Sequence, residues 1–267
     1  MKKKIFALCL VIALAATAII GGTLAFFTDT DEEINTFTAG GVKIDLIEKQ
    51  VNENGTALED FEQNQVLMPI VGSAQGEKDD FGQPVAENYI DKIVTIENTG
   101  KSAAYIRAYF AIPSALDDGY ETFNAGMNIL HFNFGNKLDE NSEYVTTYGA
   151  EWNWKQENGK WNYFETTIDG VAYNVYFADY YQPLAAGATT EQLISGVYLD
   201  SHVDMKDGKY VDTRFPNADL SILEGEVDCP VFAVAVQADG FDNVAEAVDA
   251  AFGANFNPFG GTATNWQ

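Results

Sequence analysis

Ile93-Val94-Thr95-Ile96-Glu97, then Asn98-Thr99-Gly100, then Ala104-Tyr105-Ile106-Arg107-Ala108-Tyr109-Phe110-Ala111-Ile112 is the stretch that decides the fold. Its first and last parts are rich in β-branched and aromatic residues, which are enriched in strands. Asn98-Thr99-Gly100 predicts a hairpin connection between them, and Pro113 predicts the end of the second strand. Similar strand patterns fill the rest of the chain after residue 38, so we expect an all-β fold.

Residues 150–181 contain a second clear pattern. The pairs Asn158-Gly159 and Asp169-Gly170 accept the positive φ angles of two-residue hairpin turns. Together they predict a three-stranded β-meander in which Trp154 and Tyr176 both lie opposite Tyr163. One face of this meander carries Trp152, Trp154, Trp161, Tyr163 and Tyr176, and the other carries Phe164, Tyr173, Val175 and Phe177.

The face with Trp152, Trp154, Trp161 and Tyr163 has two interpretations. A solvent-facing row of Trp and Tyr could stack on sugar rings or anchor a protein partner. Alternatively, the row packs against the rest of the sandwich, because large aromatic side chains are core residues first. The second interpretation is favoured, since exposed patches of that size are uncommon on monomeric soluble proteins.

Other segments predict further strands and two irregular regions. Residues 42–46 alternate between apolar and polar side chains, and residues 231–238 form an apolar run suited to a central strand. Glycines and a proline over residues 72–84 predict a long surface loop. Residues 257–261 predict a flexible tail.

One helix is predicted near the end of the chain. Asn243 and Glu246 have the spacing of a capping box, and Gly253 supplies a stop after Phe252. The apolar positions between them fall on one helical face. We expect this short helix to cover an open end of the sandwich.

The first 25 residues predict a secretory signal peptide. Met1-Lys2-Lys3-Lys4 precedes an uncharged apolar run, and Thr23-Leu24-Ala25 supplies small residues before a cleavage site between Ala25 and Phe26. The alternative is an uncleaved anchor, because the uncharged stretch reaches Thr28 and could nearly span a bilayer. Cleavage is favoured, and the protein is expected to be exported.

Charge and cysteine content limit the function further. The chain has 40 acidic and 15 basic residues, a formal net charge of −25, and the signal peptide would remove three of the lysines. Such a surface repels nucleic acid, whose binding needs a basic footprint. It is compatible with high solubility and with association through divalent ions. After cleavage Cys229 is the only cysteine, so stability must come from burial rather than from disulfides.

Several motifs occur together in one known family. They are Gly21-Gly22-Thr23-Leu24-Ala25-Phe26-Phe27-Thr28-Asp29-Thr30, Asn35-Thr36-Phe37-Thr38-Ala39-Gly40, Thr95-Ile96-Glu97-Asn98-Thr99-Gly100 with Ala104-Tyr105-Ile106-Arg107, Tyr180-Tyr181-Gln182-Pro183-Leu184-Ala185-Ala186-Gly187-Ala188-Thr189-Thr190, and Val236-Gln237-Ala238-Asp239-Gly240-Phe241. In these motifs the chain resembles the TasA/camelysin (CalY) family of exported Gram-positive proteins, which carry a signal peptide of the SipW type. Residues from about 116 to 179 contain no matching motif.

The resemblance implies a fold and a mode of assembly. A SipW-type signal peptidase would cut between Ala25 and Phe26. The mature protein would be a single jelly-roll-like β-sandwich that forms extracellular fibres, in which each N-terminus lends a strand to the next subunit. The chain would then consist of a signal peptide (1–25), an N-terminal arm (26–38) and a sandwich domain (39–267) with the meander inserted at about 116–180.

The arm itself has the composition of a strand that can be donated to another subunit. Phe27, Ile34 and Phe37 would be its apolar anchors. Because Asp31-Glu32-Glu33 interrupts the apolar pattern, the inserted part could be only residues 34–39. Alternatively, the arm folds back as the first strand of its own subunit.

Catalytic and metal-binding patterns are weak. Zinc hydrolysis needs three protein ligands, and the two histidines, His131 and His202, lie in unrelated contexts with no H-E-x-x-H motif. Asp200, Asp204 and Asp212 around Asp207-Gly208 could hold calcium, but surface turns are often rich in Asp. We expect no cofactor and no enzymatic activity.

The sequence therefore predicts a secreted structural subunit of a surface or biofilm-matrix fibre. Its partners would be other copies of itself, a related family subunit and the signal peptidase, and the membrane would be met only by the precursor. The competing hypothesis is a monomeric adhesin or glycan- or protein-binding module that uses the aromatic face. A camelysin-like metalloprotease is a third, disfavoured one.

Overall fold

The computed structural model describes residues 28–31, 41–119 and 128–267, with the backbone alone for residues 28–31. Antiparallel sheets dominate these residues, so the predicted all-β sandwich is confirmed. The strands are β1 (Thr28–Asp31), β2 (Ile44–Val51), β3 (Leu58–Asp60), β4 (Ile90–Asp91), β5 (Ile93–Asn98), β6 (Ala104–Pro113), β7 (Leu130–Phe134), β8 (Asn136–Leu138), β9 (Tyr144–Thr146), β10 (Trp152–Asn153), β11 (Tyr163–Ile168), β12 (Val171–Tyr180), β13 (Ile194–Leu199), β14 (Val203–Lys206), β15 (Lys209–Asp212) and β16 (Val231–Gln237). The helix α1 spans Val244–Phe252, and a short 3-10 helix spans Ser221–Glu224.

The main sheet has the strand order β1-β16-β6-β12, and β12 carries two further strands on its other side. β11 pairs with the first part of β12, and β10 pairs with its end, where Trp152 lies opposite Tyr180. β6 is buried along its whole length, because it has a strand on each edge and a packed layer on each face. β12 lies within the predicted insertion at residues 116–180, yet it is the direct neighbour of β6.

A second layer covers one face of the main sheet. It contains two three-stranded sheets, with the orders β3-β2-β5 and β4-β13-β7, and the hairpins β8-β9 and β14-β15 lie outside both. Ile96 of β5, Phe132 of β7 and Phe110 of β6 belong to one buried cluster. The core of the sandwich therefore lies between the main sheet and this second layer.

The opposite face of the main sheet is covered by α1 and by residues that follow it. The side chain of Asn243 accepts a hydrogen bond from the backbone N–H of Glu246 at 2.9 Å, so the predicted helix start is confirmed. Val244 and Val248 are buried against this face. The helix thus covers a sheet face, and the prediction that it closes an open end of the sandwich is wrong.

The Asp169-Gly170 turn is confirmed. Ile168 lies opposite Val171 across it, and Tyr163 lies opposite Tyr176, as the two-residue turn predicts. Both turn residues have positive φ, 48° and 87°. A type I′ turn needs this conformation at both positions, and it matches the twist of the two strands.

The Asn158-Gly159 turn differs from its prediction. The backbone N–H of Gln156 donates to the carbonyl of Lys160, and Lys155 lies opposite Trp161. The loop therefore comprises residues 157–159, and the pairing is shifted by one residue. β10 then pairs with β12 rather than with β11, so the predicted order of the meander is wrong.

The hairpin predicted at Asn98-Thr99-Gly100 is also wrong, because β5 and β6 belong to different sheets. The buried side chain of Asn98 fixes the corner between the layers. Its Nδ2 donates to the carbonyls of Ser102 and Leu184, each at 2.9 Å, and its Oδ1 accepts from the N–H of Gly100 at 3.0 Å. With these three hydrogen bonds, the amide stabilises the connection from β5 in the second layer to β6 in the main sheet, which local sequence patterns do not reveal.

Two segments are packed more closely than predicted. Ala74 and Gln83, in the loop of residues 72–84, are buried. In the predicted flexible tail, the ring of Phe259 packs edge-on against Phe232, with the ring centres 6.0 Å apart. The predicted tail is therefore packed against β16 at Phe259.

Candidate assembly site at the β16 edge

β16 is the neighbour of β1, the four-residue strand at the edge of the main sheet. Its sequence alternates in size as well as in direction. Ala233 and Ala235 face the core between the layers, whereas Phe232, Val234 and Val236 face α1. The small residues allow the second layer to approach closely, and the larger ones fill the space under the helix.

The backbone groups of β16 alternate between its two neighbours. The carbonyl of Pro230 accepts from Ala111, and the N–H of Ala238 donates to Ala103, so the even-numbered residues bond to β6. The N–H and C=O groups of Val231, Ala233, Ala235 and Gln237 therefore face the other side. Without β1 they would form an unpaired edge that can accept a strand.

β1 fills part of this edge within the same chain. The register places Asp29 opposite Ala235 and Asp31 opposite Ala233. From the alternation, these two aspartates share backbone hydrogen bonds with β16, whereas the N–H and C=O groups of Thr28 and Thr30 point away from it. In the single chain, these four residues therefore pair with their own subunit, as in the alternative in which the arm folds back.

The remaining predicted features of the arm lie outside the described residues. These are the cleavage site at Ala25 and Phe26, the anchors Phe27, Ile34 and Phe37, and the short inserted segment of residues 34–39. What the sequence did not predict is the acceptor strand. The alternating alanines of β16 were the available signal, because small core-facing residues beside large ones are typical of a closely covered strand.

A long groove begins where β16 begins. Two adjoining hollows of about 860 and 400 Å³ share Phe61, Lys92 and Cys229, and Val231 lines the first while Val227 lines the second. At the shared wall, Lys92 pairs with Glu48 at 2.7 Å and lies 4.4 Å from the centre of the Phe61 ring. Burial raises the pKa of the Cys229 thiol to about 12, so this thiol stays protonated at neutral pH.

The aromatic face is part of the core. Trp152, Trp154, Trp161 and Tyr163 are each less than 8% exposed and belong to the cluster between the layers. Their separation from Phe164 and Phe177, on the other face, is as predicted. The interpretation that Trp152, Trp154, Trp161 and Tyr163 form an exposed binding row is wrong, because their surface is covered by the second layer.

Both histidines contact one carboxylate, so the expectation that they lie in unrelated contexts is wrong. His131 Nε2 lies 2.9 Å from Asp200 Oδ2, and His202 Nδ1 lies 2.8 Å from Asp200 Oδ1. Arg214 then joins Asp200, at 3.1 Å, to Asp212, at 2.7 Å. Its guanidinium supplies the positive charge that calcium would bring to these carboxylates, so the calcium interpretation finds no support here.

Within the part of the chain that the structure describes, no group of three His, Cys, Asp or Glu side chains is placed to hold a metal ion. Over the same residues, no helix is both long and apolar enough to cross a bilayer.

Comparison with known proteins gives one match. A sequence profile of the family described as Camelysin metallo-endopeptidase matches residues 1–54. Searches of curated proteins and of solved structures found no match. The resemblance to the TasA/camelysin family is therefore confirmed for residues 1–54, which include the predicted signal peptide, the predicted arm and β2.

Proposed function

Since residues 1–54 match the TasA/camelysin family, we propose that this chain is an exported subunit of an extracellular surface or biofilm-matrix fibre. A SipW-type signal peptidase removes residues 1–25 and leaves an arm with a free end at Phe26. Neighbouring copies then exchange β1, so that the arm of one subunit pairs with β16 of the next. The observation that supports this proposal is the pairing of residues 28–31 with β16 at the edge of the main sheet.

Chain length favours an arm from another copy when the pairing is longer. Continued in the same register, Ile34 would lie opposite Pro230 and Phe37 opposite Val227, beside the groove described above. Gly41, however, lies near the opposite end of β16, since its carbonyl accepts from Ser102 close to the Ala104–Gln237 pair.

Within one chain, Phe37 cannot lie opposite Val227 while Gly41 lies near the other end of β16, because the chain from Phe37 to Gly41 is too short. Four residues after Phe37 span at most about 14 Å. β16 alone has seven residues and is therefore about 23 Å long, at roughly 3.3 Å per residue, which is more than this span. An arm that places Ile34 and Phe37 on the groove must therefore come from a neighbouring copy, and a head-to-tail exchange of this kind gives open filaments.

The peptidase role in the family's description is not proposed for this chain. Asp200 is occupied by both histidines and by Arg214, and these are all the histidines that the sequence contains. A zinc hydrolase needs three ligands and an open position for water. The structural role thus accounts better for the residues of the chain.

A disulfide across the edge distinguishes exchange from folding back. Thr30 and Val234 lie opposite each other in a pair without mutual hydrogen bonds, with Cα atoms about 4.5 Å apart. Residues 26–267 with Thr30→Cys, Val234→Cys and Cys229→Ala should give a ladder of covalent oligomers on non-reducing gels, after oxidation of concentrated protein. Cross-linked monomers alone, at every concentration, would contradict the proposal.

Two prolines supply a matched control by negative-stain electron microscopy. Asp29→Pro removes an N–H that faces Ala235, whereas Thr30→Pro removes one that points away from β16. We expect filaments from residues 26–267 and from Thr30→Pro, and monomers from Asp29→Pro and from a chain that starts at Ala39. Equal filaments from both proline variants would show that β1 does not carry the assembly.

A further inference from the structure

The second edge of the main sheet is covered by the end of the sequence. The N–H of Glu165 in β11 donates to the carbonyl of Thr264, and the N–H of Thr264 donates back, each at 2.9 Å. The carbonyl of Tyr163 accepts from Gln267 at 3.0 Å. Residues 261–267, called the strap below, therefore lie along the outward edge of β11 and form a single β-bridge with it, between Glu165 and Thr264.

One aromatic contact fastens the strap to the sheet. The ring of Trp266 stacks on Phe164, with centres 4.1 Å apart, and meets Phe177 edge-on at 6.1 Å. The side chain of Asn265 adds a hydrogen bond to Glu165 at 2.8 Å. These contacts lie on β11 and β12, and Lys160, just before β11, donates from Nζ to Gln267 Oε1 at 2.9 Å.

The strap is joined to the rest of the chain by a glycine pair. Gly260 and Gly261 have φ angles of 76° and 72°, a conformation that other residues rarely adopt. Before this pair, Phe259 packs independently against Phe232. A change of backbone angles at the two glycines could therefore redirect the strap while α1 and Phe259 keep their places.

Charge makes the strap suited to a second copy of the chain. Every residue after Asp249 is uncharged, in a chain whose formal net charge is −25. Two copies repel each other over most of their surface, but this segment can approach a neighbour without that cost. A strap that binds β11 of another copy would keep the same contacts that it makes in its own chain.

From these observations we propose that the β11 edge is a second strand-accepting site and that two copies exchange their straps reciprocally. Such an exchange is symmetric, because each copy gives a strap and receives one. It closes on a dimer and does not propagate, unlike the exchange of β1. In a fibre it would join subunits of two filaments side by side.

A cross-link tests the exchange apart from the arm. Glu165 and Thr264 form a hydrogen-bonded pair, with Cα atoms about 5.5 Å apart, within disulfide range. Residues 26–267 carrying Glu165→Cys, Thr264→Cys and Cys229→Ala, with Asp29→Pro to disable the arm, are incubated reduced at rising concentration and then oxidised. We expect covalent dimers, and no larger species, whose share rises with concentration.

The other outcomes each contradict the proposal. Monomers alone would show that the strap stays in its own chain, and ladders beyond the dimer would exclude a closed exchange. A synthetic peptide of residues 261–267 in excess should reduce the dimer yield. The same peptide with Trp266→Ala should compete on the order of tenfold less well, since it lacks the stacked ring. Equal competition by both peptides would contradict a site built on Phe164.

Discussion

The main sheet and the second layer are built differently, although they share one core. β6 and β12 each have ten residues, and their seven paired positions continue without a break in register. In the second layer, β4 has two residues, and the pairing of β13 with β7 shifts between Ile194 and Gly196. The first region is held by one long ladder, whereas the second combines shorter ladders, such as the six pairs between β2 and β5, with side-chain contacts between them.

The difference extends to how each region holds charge. The main sheet buries an ion pair between opposite residues of neighbouring strands, Arg107 and Asp179. The second layer holds Asp200 in a cluster of bases, and Asp91 beside a single backbone N–H. The main sheet should therefore dominate the free energy of unfolding, while the second layer should set much of its dependence on pH.

The largest effect is expected from Arg107→Met in the main sheet. Arg107 donates to both carboxylate oxygens of Asp179, at 2.6 and 2.9 Å, and is 9% exposed. Its loss leaves the partly buried carboxylate of Asp179 without a countercharge, which costs up to about 3–5 kcal/mol. Urea unfolding, followed by tryptophan fluorescence, measures this loss.

The double variant Arg107→Met with Asp179→Leu is the matched control. It removes both charges, and the Met and Leu side chains fill the space of the ion pair. Its stability should therefore be closer to that of the natural chain than the stability of the single variant is. A single variant that loses less than about 1 kcal/mol would place the pair among weak surface ion pairs. That result would weaken the contrast between the two regions.

The sequence predicts the β11–β12 hairpin of the main sheet and the helix α1 because their signals are local, although it misplaces β10 and the connection from β5 to β6. Asp169-Gly170 fixes the β11–β12 turn, and the period of two then assigns Tyr163 and Phe164 to opposite faces, as the structure shows. Asn243 likewise marks the start of α1. Turn residues and alternation act over a few positions, so a single sequence contains them in full.

The second layer is predicted poorly because its signals are not local. His131 and Asp200 are far apart in the sequence, and nothing near either residue indicates the 2.9 Å contact between them. The corner at Asn98 depends on the carbonyl of Leu184, which is 86 residues further along the chain. The same holds for the edge at β16. The sequence predicts this strand, but its neighbours β1 and β6 are known only from the sheet topology.

Asp200→Asn in the second layer should have an intermediate effect. Burial alone would raise the pKa of Asp200, but hydrogen bonds from His131 and His202 and the charge of Arg214 lower that pKa well below its ordinary value. We expect the variant to lose about 2 kcal/mol at pH 7, because a carboxylate with charge-assisted bonds is removed.

The pH dependence gives a second readout for Asp200. A lowered pKa in the folded state means that its stabilisation is present above the unfolded pKa, near 4, and is lost as the pH falls below it. Stability of Asp200→Asn should therefore fall less steeply below pH 4 than that of the natural chain, measured by thermal melts. Parallel curves would mean that Asp200 is not held as an anion by its neighbours.

The smallest effect, of opposite sign, is expected from Asp91→Asn. Burial raises the pKa of Asp91 to about 6, since the N–H of Val51, at 3.3 Å, offsets little of the cost. Between pH 4 and 6 the folded chain holds a proton that the unfolded chain releases, so stability falls as the pH rises through this range. Asparagine has no charge to bury and can still accept from Val51. The variant should gain about 1 kcal/mol at pH 7 and lose this slope. A loss of stability at pH 7 would show that the ionised carboxylate of Asp91 stabilises the second layer. That result would contradict the inference that its burial makes the charged form unfavourable.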